Sequence, residues 1–213
     1  MKNIVVLISG RGSNLGVLLD AAIPARFAAV ISNRPGALGL QLATARGIPA
    51  ITLDHKAFAD REGFDAALMA EIDKHAPDLI VLAGFMRVLT PAFVNRYQGR
   101  LINIHPSLLP VFPGLHTHER ALAAGVKIHG CSVHFVTAEL DHGPIIIQAA
   151  VPVHESDTPA TLAERVLVEE HKAYPLAVRW FVEGRLKLTE DGRVFLVGAP
   201  QTAQALLSPG DVK

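Results

Sequence analysis

The chain alternates short, uniformly apolar runs with longer stretches of helical periodicity. Asn3-Ile-Val-Val-Leu-Ile-Ser9 is a β-branched run of the kind buried on both faces of a parallel sheet. Residues 27–32, 48–53, 79–83 and 101–104 predict four more strands, of which 79–83 is again uniformly apolar. Between them, 13–22, 38–46, 60–75 and 91–97 have helical character, and the third carries Phe64, Leu68 and Ile72 on one stripe. This alternation predicts an α/β fold with a doubly wound, mostly parallel open sheet. Further on, 127–136 and 145–151 are strands joined by a short turn, which predicts antiparallel strands at one sheet edge. Asp157-Thr158-Pro159 opens a long helix to about Glu183. Its expected apolar face is Leu162, Val166, Ala173, Ala177 and Trp180, and Pro175 should kink it. Residues 186–188 and 194–196 form a hairpin around Asp191-Gly192, and 198–213 reads as a loose tail. One domain over 1–190 is expected, with 191–213 as hairpin end and tail.

In such sheets ligands bind beyond the C-terminal ends of the strands. Three suggestive loops follow strands: Gly10–Asn14, Gly84–Leu89 and Asn103–Pro110. The first leads into a helix starting at Ser13 or Asn14, whose free N–H groups and positive dipole end suit a phosphate. It is not a dinucleotide fingerprint, because Leu15 stands where a glycine is required, and no lysine is near enough for a P-loop. A monophosphate or similar small anion fits better; a plain tight turn is the alternative. The second loop is apolar enough to be core, or one wall of a pocket for a flat ligand. In the third, Asn103 and His105 are two apart on an extended chain and point the same way. An amide can hydrogen-bond a developing oxyanion, and an imidazole can move a proton near neutral pH. Pro106 holds His105 extended. The bland alternative is two side chains satisfied by loop backbone, and the convergence of three loops argues against it. Asp141, in the turn between the two edge strands, reaches His105 if those strands flank the fifth.

Composition narrows the field. With 213 residues, 50% hydrophobic and 19% charged, the chain can bury a sizeable core. Twenty basic residues balance twenty acidic ones, so neither nucleic acid nor a membrane surface is an expected partner. No run approaches a membrane span, and a soluble, cytoplasmic protein is the expectation. One cysteine, Cys131, excludes an internal disulfide and a multi-cysteine zinc site; its apolar strand suggests a small buried residue. Ten histidines raise the question of a metal, with His116, His118, His129, His134 and His142 as nitrogen donors beside Asp141. No helix fixes the rings of His116 and His118 and no H-E-x-x-H occurs, so no metal is expected. No G-x-S-x-G elbow supports a serine nucleophile. A non-catalytic nucleotide-binding module remains a rival, and oligomeric state is open between monomer and homodimer.

Six blocks occur in order: Ser9-Gly-Arg-Gly-Ser-Asn14, Ala83-Gly-Phe-Met-Arg-Val-Leu89, Asn103-Ile-His-Pro-Ser-Leu-Leu-Pro110, Pro113-Gly-Leu-His-Thr-His118, Gly130-Cys-Ser-Val-His-Phe-Val136 and Asp141-His-Gly-Pro144. Over about residues 1–190 the chain closely resembles the 10-formyltetrahydrofolate-dependent formyltransferases. The first and fourth blocks resemble the branch acting on glycinamide ribonucleotide in purine synthesis. Formyltetrahydrofolate deformylase and methionyl-tRNA formyltransferase share the core blocks. The first is expected to add an N-terminal domain and the second a C-terminal barrel. The resemblance implies a Rossmann-like formyltransferase fold and 10-formyltetrahydrofolate as co-substrate. It implies Asn103, His105 and Asp141 as the catalytic trio, acting on a directly attacking amine. Gly12, Ser13 and Asn14 resemble the substrate's phosphate turn, and Glu170 a contact to the glycinamide substrate; a solvated helix carboxylate is the alternative for Glu170. Arg61, Met86, Arg87, Val88 and Leu89, with Asn103, resemble the folate side. His142 stands at a variable position where many relatives have glycine.

Overall fold

The computed structural model describes residues 1–199. Of the expected tail, 200–213 lies outside the described residues.

A seven-stranded sheet runs through the molecule in the order β3-β2-β1-β4-β5-β6-β7. β1 (Lys2–Ile8), β2 (Ala25–Ser32), β3 (Ala50–Thr52), β4 (Leu79–Leu82) and β5 (Leu101–His105) are parallel. β6 (Ile128–Phe135) and β7 (Ile145–Pro152) complete the sheet antiparallel to β5 and to each other. β8 (Leu186–Leu188) and β9 (Val194–Leu196) form the separate hairpin. The doubly wound sheet with an antiparallel edge is therefore as expected. The third strand is shorter than 48–53: it lies at the parallel edge of the sheet, where Ala50 and Ile51 are half-buried and Thr52 is exposed.

Strand alternation sorts the core into two layers. Ile4, Val6 and Ile8 of β1 pack with α1 (Ser13–Asp20) and α6 (Pro159–Val182). Val5 and Leu7 face the other way, against Phe64, Leu68 and Ile72 of α3 (Arg61–Asp73) and Phe93 of α4 (Pro91–Arg96). The short helices α2 (Leu38–Ala45) and α5 (Thr117–Ala123) flank these layers. Helix α6 continues through Pro175. On its packed face Tyr174 and Val178 are buried with the expected residues, whereas Trp180 is only half-buried. No described helix is long and apolar enough to cross a membrane.

The chain winds one way from β1 to β3 and the other from β4 to β5. The switch point lies between β1 and β4, where a crevice opens beyond the strand ends. Helix α6 closes its floor: the Tyr174 hydroxyl is within hydrogen-bond distance of the carbonyls of Leu82 on β4 (2.8 Å) and Ile102 on β5 (3.4 Å).

Candidate active site

Asn103 and His105 occupy the last turns of the pleat in β5 and share the face that Leu101 gives to the α3–α4 layer. Antiparallel register sets His134 of β6 opposite Asn103, and Ser132 opposite His105. His134 Nδ1 donates to the Phe135 carbonyl at 2.9 Å, so in the neutral ring Nε2 is the acceptor. The Asn103 Nδ2 amide reaches it at 3.4 Å. Burial is the main influence on His134 and pushes its imidazole pKa down, which keeps that acceptor available. Asn103 thus has its amide donor end oriented by a buried neighbour.

His105 is 6% exposed. Its Nε2 lies 2.9 Å from the Phe112 carbonyl and its Nδ1 lies 3.4 Å from Asp141 Oδ2. Asp141 sits in the β6–β7 turn with φ 54°, a left-handed conformation that Asp tolerates better than most residues. Its Oδ2 also accepts the Gly114 N–H at 2.8 Å, and its Oδ1 lies 3.9 Å from His134 Nε2. The edge strands therefore bring Asp141 to the trio's other members, as their placement beside β5 requires. His142, next in the turn, is exposed and close to Glu139.

Ser132 anchors the loop after β5. Its hydroxyl donates to the Ser107 carbonyl at 2.7 Å and accepts the Leu109 N–H at 3.0 Å, and Gln148 Nε2 reaches both this hydroxyl and the Leu109 carbonyl at 2.9 Å. Sequence reasoning missed Ser132, Gln148 and the positioning part of His134. Their signal is cross-strand register, which no local motif carries.

On the opposite side of the switch point, α1 begins at Ser13 with Gly12 as its N-cap at φ 79°. A Cβ on Gly12 would stand 2.8 Å from the Gly39 Cα, so the turn is closed against α2. Arg11, Gly12, Ser13, Gly16, Leu42 and Leu167 line a cleft of ≈ 280 Å³. Asn14 is buried, and its Nδ2 donates to Glu170 Oε2 at 2.8 Å. Glu170 is 8% exposed, which removes the solvated-carboxylate alternative. Burial raises its pKa, partly offset by the Asn14 hydrogen bond. Asn14 Oδ1 is buried without a partner among the described residues, an acceptor that calls for a donor. Cys131, fully buried, has its thiol pushed up to about 12, chiefly by burial.

The apolar loop splits by position. Met86 and Val88 are exposed (65% and 52%), Arg87 and Leu89 are half-buried, and the Arg87 guanidinium lies 4.7 Å from the Phe64 ring centroid. Arg61 is exposed as the first residue of α3 and makes no ion pair among the described residues. His118 and His129 meet edge-on at 5.3 Å. Among the described residues no group of three or more His, Cys, Asp or Glu side chains is arranged to hold a metal ion.

Comparison with known proteins gives a consistent answer. The formyl transferase family model matches residues 2–178. The Escherichia coli phosphoribosylglycinamide formyltransferase is 55% identical over 193 residues, covering 89% of this chain and 91% of that protein. The human trifunctional purine biosynthetic protein adenosine-3 is 45% identical over 195 residues, which are 90% of this chain and 19% of that protein. Among solved structures, glycinamide ribonucleotide transformylase 1 from Symbiobacterium toebii superposes with a TM-score of 0.89 at 50% identity, over 92% of this chain and 94% of that one.

Proposed function

This chain belongs to the formyl transferase family, and from that premise we propose that its crevice transfers the formyl group of 10-formyltetrahydrofolate to the primary amine of glycinamide ribonucleotide. The enzyme type is that of the phosphoribosylglycinamide formyltransferases it resembles, and the pathway is purine biosynthesis. The observation that carries the reading is the convergence of Asn103, His105 and Asp141 beyond the end of β5, with His105 Nδ1 3.4 Å from Asp141 Oδ2.

The substrate's phosphate rests on the Gly12-Ser13-Asn14 turn at the N-terminus of α1, where backbone N–H groups and the helix dipole favour an anion. The unpaired Asn14 Oδ1 and the raised-pKa Glu170 take donors from the same substrate. The folate lies against Met86, Arg87, Val88 and Leu89, with Arg61 available to its acidic end. The exposed apolar side chains at 86 and 88 suit one edge of a flat heterocycle.

The amine nitrogen attacks the formyl carbon. A C–N bond forms, and the carbonyl electron pair moves onto oxygen. Asn103 Nδ2 donates to that oxyanion, and a protonated His105 supplies the second charge-stabilising donor. For His105 Nε2 to turn to substrate it must leave the Phe112 carbonyl, so the loop carrying Phe112 yields as the formyl group arrives. Asp141, paired to the imidazole, accepts the amine proton through a water. The bond from carbon to the folate nitrogen then breaks as the oxyanion collapses, and the proton passes to that nitrogen. The products are the formylated amide and tetrahydrofolate. The chemistry calls for no metal and no covalent enzyme intermediate.

The test is a two-substrate assay in the presence of a chelator, following donor deformylation by absorbance. Turnover that requires both donor and glycinamide ribonucleotide is expected. Donor loss without the amine would instead mark a deformylase, and activity abolished by chelation would restore the metal reading.

A further inference from the structure

The loop assigned to the folate has to hold its shape, yet its middle is exposed: Met86 and Val88 stand largely in solvent. Little core packing fixes its backbone there. Its hydrogen bonds lead to a residue from a different loop. The Met86 N–H donates to Ser9 Oγ at 2.8 Å. The Ser9 hydroxyl donates in turn to Asn33 Oδ1 at 2.6 Å, and the Ser9 N–H donates to the Gly84 carbonyl at 3.1 Å. Ser9 is 5% exposed and Asn33 is 2% exposed. Asn33 is itself fixed, since its carbonyl accepts the His55 backbone N–H at 3.3 Å and faces His55 Nδ1 at 2.7 Å. Ser9 therefore spends its donor on Asn33 and its acceptor capacity on the loop amide. A hydroxyl can do both at one atom. Ser9 directly precedes Gly10-Arg11-Gly12, so the same residue that stitches the 84–89 loop also begins the turn assigned to the phosphate.

We infer that Ser9 is a positioning residue for the formyl-donor side of the reaction: its hydroxyl, oriented by Asn33, fixes the Met86 backbone and so presents the 84–89 loop to a folate. Ser9 touches no reacting atom in this role. It sets the register between two subsites carried by β1 and β4, the strands that flank the switch point. Removing the hydroxyl leaves the part-buried Met86 N–H without its protein partner and strands Asn33 Oδ1 in a buried environment, which is where a missing hydrogen bond costs most. The loop then samples other backbone arrangements, and donor affinity falls. The phosphate turn is held independently, by its closure on Gly39, so affinity for the amine substrate is spared.

This inference rests on the folate assignment of the loop, and its test separates the two. The variants are Ser9→Ala and Ser9→Thr, the latter keeping the hydroxyl. The first readout needs no catalysis: amide hydrogen exchange of the 84–89 segment in the folded full-length protein. In Ser9→Ala that exchange is expected to rise about tenfold over wild type, with β5 unchanged and Ser9→Thr close to wild type. Unchanged exchange at 84–89 overturns the proposal, even if the enzyme is active. The second readout is steady-state kinetics. The donor KM is expected to rise about tenfold in Ser9→Ala while the amine KM stays within about twofold, and Ser9→Thr recovers most of the loss. A fall in thermal stability with both KM values unchanged makes Ser9 merely structural and overturns the proposal. Faster exchange at 84–89 with a raised amine KM and an unchanged donor KM supports the stitch but contradicts the folate assignment of the loop.

Discussion

His105 Nδ1 lies 3.4 Å from Asp141 Oδ2, although one residue ends a parallel strand and the other sits in the turn of the antiparallel edge pair. Two features hold them together. β6 lies beside β5 in a register that sets Ser132 opposite His105, and the left-handed backbone at Asp141 turns its carboxylate inward, where Gly114 N–H also holds it. An imidazole between a carboxylate and the Phe112 carbonyl has an acceptor at each nitrogen.

Asp141→Asn separates charge from shape. Asn tolerates the left-handed conformation, so the turn should survive while the negative charge is lost. Activity is expected to fall throughout the neutral range with an unaltered circular dichroism spectrum. A pH–rate profile matching wild type would remove Asp141 from the proton path.

The two residues after Asp141 should respond in opposite ways. A Cβ on Gly143 would stand 1.6 Å from the Phe135 carbonyl oxygen, a clash with backbone that only movement of the turn relieves. Gly143→Ala is therefore expected to displace Asp141 and cut kcat by about 10²-fold or more, since small misplacements of catalytic groups are that costly. His142 is exposed, and His142→Gly should stay within about twofold of wild-type turnover. Equal losses in the two variants would contradict the geometry of the turn.

Much of this was legible in the sequence, for reasons that differ by element. β1 from Ile4 onward and β4 are buried on both faces, so each had to be an unbroken apolar run; β5 is interrupted by half-buried Asn103 before it ends at His105, and the three loops of the candidate site followed from the strand ends. The stripe Phe64, Leu68, Ile72 likewise gave the buried face of α3. Asp65 was not legible. Beside that stripe it looks like a solvent-side charge, and only the approach of the segment after β4 makes it 1% exposed. Ser9 was readable as a strand end but not as the acceptor for Met86, because that contact joins loops from two strands. The pairing of Asn103 with His134 depends on antiparallel register, which the turn fixes at a distance. Glu170 needed α6 to be laid across α1 before burial could be assigned.

Asp65 gives a stability prediction. Its Oδ2 accepts the Thr90 N–H at 2.7 Å, just ahead of α4, where the Thr90 hydroxyl caps Phe93 N–H. Asp65→Ala leaves a buried N–H unpaired, at a cost of about 1–3 kcal/mol. Urea denaturation should show a lower midpoint at unchanged slope. A midpoint equal to wild type would mean that the amide finds another partner.

Acid should act through the pair His118–His129. Burial, reinforced by the charge of His118, pushes His129 down to about 4. The folded value lies below the unfolded value of about 6.5, so as pH falls the unfolded chain takes up the proton first. The stability contributed by neutral His129 is complete above about pH 6.5, erodes between there and about pH 4, and changes no further below. About 2 kcal/mol is at stake after solvent screening. The difference in unfolding free energy between wild type and His129→Gln should shrink across that window. A constant difference from neutral to acid pH would contradict the assignment.

The most direct measurement is the turnover of Asn103→Ala with both substrates saturating, beside an unfolding curve for the same preparation. In the mechanism we propose, Asn103 is the oxyanion donor and His134 orients its amide; loss of one such donor costs roughly 10²–10³ in rate. The expected result is a loss of that size in kcat with cooperative unfolding retained. Near-normal turnover in the folded variant would contradict oxyanion stabilisation by Asn103 and return it to the role of a satisfied polar side chain at a strand end.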